Sequence, residues 1–359
     1  MTTVPRCSVV IDNYDYGRFL GAAIESALAQ TYSNVEVVVV DDGSTDDSRE
    51  VLASFGNAVV PVLKPNGGQA SAVNAGFLAC SGDLVVFLDA DDLLHPDALE
   101  RVVARSRPGM AKLHFRLGAV DADGCAIGFT VPIAGRPLAD GDVAPCLVAE
   151  GRYVTPTMSG NVFPRTTLDR ILPVPEAEFR ISADGYLVTA APFYGSVVAV
   201  EEVLGNYRVH GSNWWAPAAI DGPRLRDFVI HDFAKHETLR EHAAATGVAV
   251  MKDLPMRDQF HLRARLGSLR LDPAHHPVPN DTPARLALTG VRATVRSDLE
   301  VRRKVMFVGW FLAVAFGPRS MAGTLLRWLY VPQHRPRWAR RASAALKRQI
   351  RLTPREVPG

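Results

Sequence analysis

Gly82-Asp83-Leu84-Val85-Val86-Phe87-Leu88-Asp89-Ala90-Asp91-Asp92 is the stretch from which the architecture of the chain can be read. Residues 84–88 are an unbroken apolar run, mostly β-branched or aromatic, and predict a strand of a parallel sheet buried on both faces. The run leads directly into Asp89, Asp91 and Asp92. Carboxylates are hard oxygen ligands suited to Mg²⁺ or Mn²⁺, ions that bind through one or two carboxylates together with substrate phosphates. Open α/β sheets also bind their ligands at the ends of parallel strands. The stretch therefore predicts a divalent cation and, through it, a phosphorylated ligand. The competing reading is a solvated acidic turn in which Asp92 or Asp97 caps the next helix.

The flanking sequence repeats one pattern. Apolar runs at 7–11, 35–40, 58–63 and 84–88 predict strands. They alternate with helical segments at 17–30, 46–55, 69–79 and 96–106, the last with Pro96 in its first turn. Strict β-α alternation over about a hundred residues implies a doubly wound parallel sheet with right-handed crossovers. Beyond Arg107 the rhythm changes. Residues 112–120 predict a strand, the turn Asp121-Ala122-Asp123-Gly124 a hairpin, and residues 165–172 and 182–191 helices. Paired strands are expected over 196–209 and a polar helix over 228–245. Three divisions follow: 1–107, 108–220, and a helical extension over 221–359.

The 359 residues carry a formal net charge of +2, distributed unevenly. From Arg319 onward there are ten Lys/Arg and one Asp/Glu, so the remainder is acidic by seven charges. A basic tail of this kind suits an anionic surface, either phospholipid headgroups or nucleic acid. Cys7, Cys80, Cys125 and Cys146 are scattered and form no CxxC pair, which argues against zinc and for reduced thiols in the cytosol. The N-terminus has no signal-peptide core. Two apolar stretches, 305–315 and 321–331, are each shorter than a membrane span. With Trp310, Trp328, Tyr330 and flanking arginines they fit a helix hairpin lying at a membrane interface. A helical pair packed on its own core, or in a homodimer, fits equally.

Four blocks taken together resemble the family 2 glycosyltransferases, enzymes of the GT-A fold. They are Val9-Val10-Ile11-Asp12-Asn13-Tyr14, Val39-Val40-Asp41-Asp42-Gly43-Ser44-Thr45-Asp46, Asn66-Gly67-Gly68-Gln69-Ala70-Ser71-Ala72-Val73-Asn74-Ala75-Gly76 and Asp89-Ala90-Asp91-Asp92. The resemblance covers roughly 6–215. It implies a GT-A-like, mostly parallel, Rossmann-like sheet with a C-terminal helical extension, and a nucleoside-diphosphate sugar (UDP, GDP or dTDP) as donor. It implies that Asp42 contacts the nucleotide base, with Asp12 and Tyr14 flanking it. Asn66, Gly67, Gln69 and Asn74 then lie along the sugar nucleotide. The carboxylate block resembles the family's DxD motif, which places Asp89 and Asp91 on the nucleotide and Asp91 and Asp92 on Mg²⁺ or Mn²⁺. Many relatives have Pro or Thr where this chain has Asp12.

The resemblance extends to the second half. Ile181-Ser182-Ala183-Asp184-Gly185 occupies the place of the family's general base, which makes Asp184 the candidate, although Ala183 stands where relatives carry Glu. Tyr207-Arg208-Val209-His210-Gly211-Ser212-Asn213 resembles a late strand-end motif and makes His210 a metal or diphosphate ligand. Ser159, Gly160 and Asn161 resemble an acceptor-side wall suited to a sugar or lipid-linked sugar. Processive relatives carry Gln-x-x-Arg-Trp. Gln333-His334-Arg335-Pro336-Arg337-Trp338 has one residue too many, so single-sugar transfer is expected. The expectation is an inverting, metal-dependent enzyme of surface polysaccharide or glycolipid assembly, cytoplasmic and peripheral on the membrane, with no nucleic-acid partner. The rivals are a degenerate nucleotide-sugar-binding scaffold and a nucleotidyltransferase. A dinucleotide-binding G-x-G-x-x-G after the first strand is absent.

Overall fold

The computed structural model describes residues 4–133, 135–211, 213, 219–297 and 299–331. Ser212, the 333–338 segment and the rest of the basic tail lie outside the described residues. The chain divides into two compact bodies, residues 1–210 with 231–254, and residues 211–230 with 255–359.

The first body begins with the alternation expected from the sequence: β1 (Cys7–Asn13), α1 (Gly17–Leu28), β2 (Val35–Asp41), α2 (Ser48–Ser54), β3 (Val60–Leu63), α3 (Gln69–Ala79), β4 (Leu84–Asp89). It continues through β5 (Leu93–Leu94), α4 (Ala98–Arg105), β6 (Met110–Val120), β7 (Ala126–Val131), α5 (Ala144–Glu150), β8 (Asn161–Pro164), α6 (Arg165–Ile171), α7 (Ala183–Ala190) and β9 (Ser196–Arg208). α8 (Gly222–Ala245) belongs to this body from His231 onward.

The strands form one sheet in the order β3-β2-β1-β4-β8-β6-β9-β5, with β7 paired to the Leu117–Val120 end of β6. Six strands, β1 to β4, β6 and β9, point the same way, so the sheet is mostly parallel. Apolar side chains on one face pack under α1. On the other face, Val10, Val38, Val40, Val85 and Phe87 meet α3, α6 and α7. α3 can approach β1 closely because Gly76 has no side chain: a Cβ there would lie 2.3 Å from Val10 Cγ1.

The register of the parallel strands creates the site. Asp12 pairs with Asp89 across β1 and β4, and Asn13 with Asp41 across β1 and β2. Three acidic strand ends therefore share one edge. β5 pairs with the Gly205–Asn206 part of β9, bringing the chain after Asp92 alongside the end of β9.

One expectation is corrected. Residues 196–209 do not fold as paired strands but as the single strand β9, parallel to β6. The adjacent Glu201 and Glu202 look like a turn, yet Glu201 accepts from Arg116 Nε at 2.6 Å and from Leu138 N at 2.7 Å. The register slips between Phe115 and Leu117 absorb the irregularity.

The second body is helical: the start of α8, then α9 (Gln259–Leu271), α10 (Pro283–Arg296), α11 (Val301–Phe316) and α12 (Arg319–Tyr330). Asp258 caps α9 through the Phe260 and His261 amides, and Thr282 caps α10 ahead of Pro283. Leu225, Leu262, Leu266, Leu286, Phe311, Val314 and Leu326 build its core. Trp310 is buried there and its Nε1 donates to Leu325 O at 3.3 Å. Each of the two apolar stretches thus buries one side in this core. No helix among the described residues is long and apolar enough to cross a membrane.

Candidate active site

Each acidic residue at the strand-end edge has a distinct set of partners. Asp41 is buried at the end of β2 and accepts from Asn13 Nδ2, Ser44 N and Arg49 Nε, which hold its carboxyl below the usual carboxylate range against the cost of burial. Asp42 is also buried. Its Oδ1 accepts from Gly67 N at 2.9 Å and pairs with Lys64, and its Oδ2 accepts from Gly68 N at 2.6 Å. Asp42 therefore organises the Asn66-Gly67-Gly68 loop.

Arg180 clamps the same loop from the other side, donating to Gly67 O at 2.8 Å and to Asn66 Oδ1 at 2.5 Å. Gly68 has φ +89°, and a Cβ there would lie 2.4 Å from Arg180 O, so both conformation and space require glycine. Asn74 faces away from this edge, exchanging hydrogen bonds with the Val174 backbone. Tyr14 is exposed beside the loop after β1.

Asp89, Asp91 and Asp92 converge: each offers an oxygen, and these atoms lie within 4.8 Å of one another. Asp92 is fully buried, its Oδ2 accepting from Ser159 Oγ at 2.6 Å and its Oδ1 from Arg208 N at 2.9 Å. Ser159 Oγ also accepts from Asp89 N at 3.1 Å. Ser159, Gly160 and Asn161 are all buried. Ser159 braces the carboxylates from within the fold, whereas Asn161 accepts from Lys112 Nζ at 2.7 Å and donates to Thr157 O at 2.6 Å, so these side chains are enclosed and do not present an exposed acceptor-side wall. Asp91 Oδ2 meets His210 Nε2 at 2.8 Å. The His210 ring packs against Tyr16 and Phe19, with centroids 5.4 and 5.0 Å away.

Burial, then repulsion from neighbouring carboxylates, pushes Asp89 and Asp92 well above the usual carboxylate range. Burial likewise raises Asp12 to about 7, opposed by its bond from Gln69. Asp12 Oδ1 is enclosed with no hydrogen-bond partner among the described residues. An oxygen-only donor set whose members repel one another suits a divalent cation, and Asp89, Asp91 and Asp92, with His210 adjoining Asp91, are the residues that would hold it.

Gln69 joins this edge to the candidate base. Its Nε2 donates to Asp89 Oδ1 at 2.8 Å and to Asp12 Oδ2 at 3.2 Å, while its Oε1 accepts from Ala183 N at 3.0 Å. Asp184 is the next residue, in the first turn of α7, where Ser182 Oγ donates to its Oδ1 at 2.5 Å. The Asp184 charge lies near enough to contribute to the upward shift of Asp89. The structure thus brings Asp12, Gln69, Asp89, Asp91, Asp92, His210 and Asp184 to one edge and directs Asn74 elsewhere. Lys64, Arg180 and Lys112 were not singled out from the sequence. Their partners are distant in the chain, and nothing local distinguishes them from surface cations.

Residues 8–111 match the family described as glycosyl transferase family 2. An uncharacterized glycosyltransferase from Nostoc sp. PCC 7120 is 37% identical over 215 residues, 58% of this chain and 66% of that protein. A hyaluronan synthase from Pasteurella multocida is 42% identical over 100 residues, 27% of this chain and 10% of that protein. The chain thus covers less than two thirds of the length of these relatives. Among solved structures, S. aureus TarS 1–349 in complex with UDP-GlcNAc superposes with a TM-score of 0.51 at 13% identity, covering 90% of this chain and 91% of that one, which shows a shared fold. The sequence match through the acidic strand ends, together with that shared fold, leads to one conclusion: the chain belongs to the family 2 glycosyltransferases.

Proposed function

We propose that the chain is an inverting, non-processive glycosyltransferase that moves one sugar from a UDP-, GDP- or dTDP-sugar to an acceptor hydroxyl. The observation that carries this reading is the convergence of the Asp89, Asp91 and Asp92 carboxylates, with the Asp184 charge bearing on Asp89. A phosphate-binding cation site beside a carboxylate in the first turn of a helix is what displacement at an anomeric carbon needs.

In this reading Asp184 accepts the proton of the acceptor hydroxyl as that oxygen bonds to the anomeric carbon from the face opposite the diphosphate. The bond from carbon to the diphosphate oxygen breaks, and the nucleoside diphosphate leaves with the electron pair. Mg²⁺ or Mn²⁺, when bound, offsets the negative charge that develops on the leaving group. Asp91, Asp92 and His210 would hold that ion, and Asp89 and Asp91 would face the nucleotide. The Asp42-organised loop and Tyr14 would line the base. The structural relative in complex with UDP-GlcNAc supports a nucleotide-sugar donor.

The acceptor we infer is a sugar or lipid-linked sugar of surface polysaccharide or glycolipid assembly, met at the cytoplasmic face of a membrane. The basic C-terminal sequence supports that placement. The test follows nucleotide release from the three donor classes with free and lipid-linked sugar acceptors, for the parent and for Asp184→Asn. The proposal expects acceptor-dependent release by the parent alone, with donor binding kept in the variant. Equal release by both proteins removes Asp184 from the role of base.

A further inference from the structure

Helix α11 is apolar on both its faces. From Val305 to Phe316 it contains no charged side chain, and Trp310, Phe311, Val314 and Ala315 fill the core of the second body. The opposite face is uncovered: Val301 is 75% exposed, Val305 67%, Met306 56%, Leu312 46% and Phe316 64%. At 100° per residue, Val301, Val305, Leu312 and Phe316 fall on one stripe. A helix that is apolar all round normally has partners all round, so an exposed stripe of this length marks a contact surface.

The charges near the stripe indicate its partner. Residues 283–331 contain eight basic side chains, Arg285, Arg292, Arg296, Arg302, Arg303, Lys304, Arg319 and Arg327, against two acids, Asp298 and Glu300. A symmetric pairing of two copies through this stripe would bring like charge against like charge. An anionic bilayer instead offers hydrocarbon to the stripe and headgroups to the arginines. The helix is about 24 Å long at 1.5 Å per residue, shorter than a bilayer's hydrocarbon core, so it suits lying in the interface.

We propose that the exposed face of α11 docks the protein on an anionic phospholipid surface, inserting Val305, Leu312 and Phe316 below the headgroups. Trp310, one of the three aromatics that the sequence offered as interface anchors, is buried in the core and takes no part. Binding of this kind needs neither donor nor acceptor, so its failure and that of the sugar-transfer reading are measured separately.

The test is co-sedimentation of the full chain with vesicles of phosphatidylcholine alone and of phosphatidylcholine containing phosphatidylglycerol. The parent should pellet with the anionic vesicles only, less so as salt is raised. The triple variant Val305→Ser, Leu312→Ser, Phe316→Ser, with an unchanged circular dichroism spectrum, should bind at least about tenfold more weakly. Undiminished binding by the triple variant would overturn the proposal and assign binding to the basic tail. Failure of the parent to bind, with a parent dimer that the triple variant splits, would overturn it in favour of a second copy. Phe316→Trp provides a second readout on the intact fold: added fluorescence quenched by brominated lipid supports insertion, and added fluorescence that stays unquenched refutes it.

Discussion

Gln69 holds three elements with one amide, and its chemistry cannot be copied by its acidic isostere. Its NH₂ donates to two carboxylates while its oxygen accepts from the amide just before Asp184. Gln69→Ala is expected to lower kcat about 10²-fold by letting α7 drift, with a much smaller change in donor KM. Gln69→Glu sets a third carboxylate against Asp12 and Asp89 and should be worse; steady-state kinetics checks both. If the two variants change KM alone, Gln69 acts on the donor and not through Asp184. Asp184→Asn should lower kcat by about 10²–10⁴ while donor affinity, measured by calorimetry, stays unchanged. Asp89, Asp91 and Asp92 were legible because they follow an apolar run directly. The bridging role of Gln69 was not, because its partners lie 57, 20 and 114 residues away in the chain.

The Asn66-Gly67-Gly68 loop and strand β6 show what a single element contributes. Gly68→Ala requires an alanine at φ +89° and a methyl 2.4 Å from a carbonyl oxygen. The loop should move, weakening donor binding at a stability cost of about 1–3 kcal/mol, read by thermal unfolding with and without donor. On β6, Lys112, His114 and Arg116 alternate on one buried face. Burial, with Lys112 and Arg116 nearby, lowers His114 to about 2, and it stays neutral between Ala139 O and Thr155 Oγ1. The unfolded chain takes up that proton near pH 6.5. This contribution to stability is therefore complete above pH 6.5 and is lost as pH falls below it, by about 1.4 kcal/mol per pH unit. His114→Gln should flatten the fall in unfolding free energy between pH 6.5 and 5; an unchanged slope would refute the assignment. The strands 7–11, 35–40 and 84–88 were legible because both faces are apolar. β9 was misread because Glu201 and Glu202 interrupt its apolar pattern; both are exposed, and Glu201 is held in the strand by Arg116 and the Leu138 amide, which are remote in sequence.

Over the whole molecule, the parallel half was the most readable part because β-α alternation permits few topologies. The second body was read less well. Its apolar stretches left a membrane face and a packed core equally open, because nothing local reveals that Gly290 lets Phe311 pack against α10, where a Cβ would lie 2.3 Å from the ring. That body also encloses Arg265, Asp281 and His276 in one buried set. Hydrogen bonds from His276 and Arg265 hold Asp281 below the usual carboxylate range despite burial. Its stabilising contribution is present above pH 4 and is lost as pH falls through the lowered folded value. Asp281→Asn should cost about 3–5 kcal/mol at neutral pH, with the gap to the parent narrowing at pH 3 in a denaturant titration.

The central claim is that the acidic strand ends hold a cation that receives a sugar nucleotide. It is tested most directly by titrating UDP-, GDP- and dTDP-sugars calorimetrically into the folded protein, first with Mn²⁺ and then with EDTA. The account predicts saturable binding of one donor class with Mn²⁺, lost with EDTA and in Asp91→Asn. Failure of every donor to bind in Mn²⁺, or binding that is indifferent to both EDTA and Asp91→Asn, would contradict it.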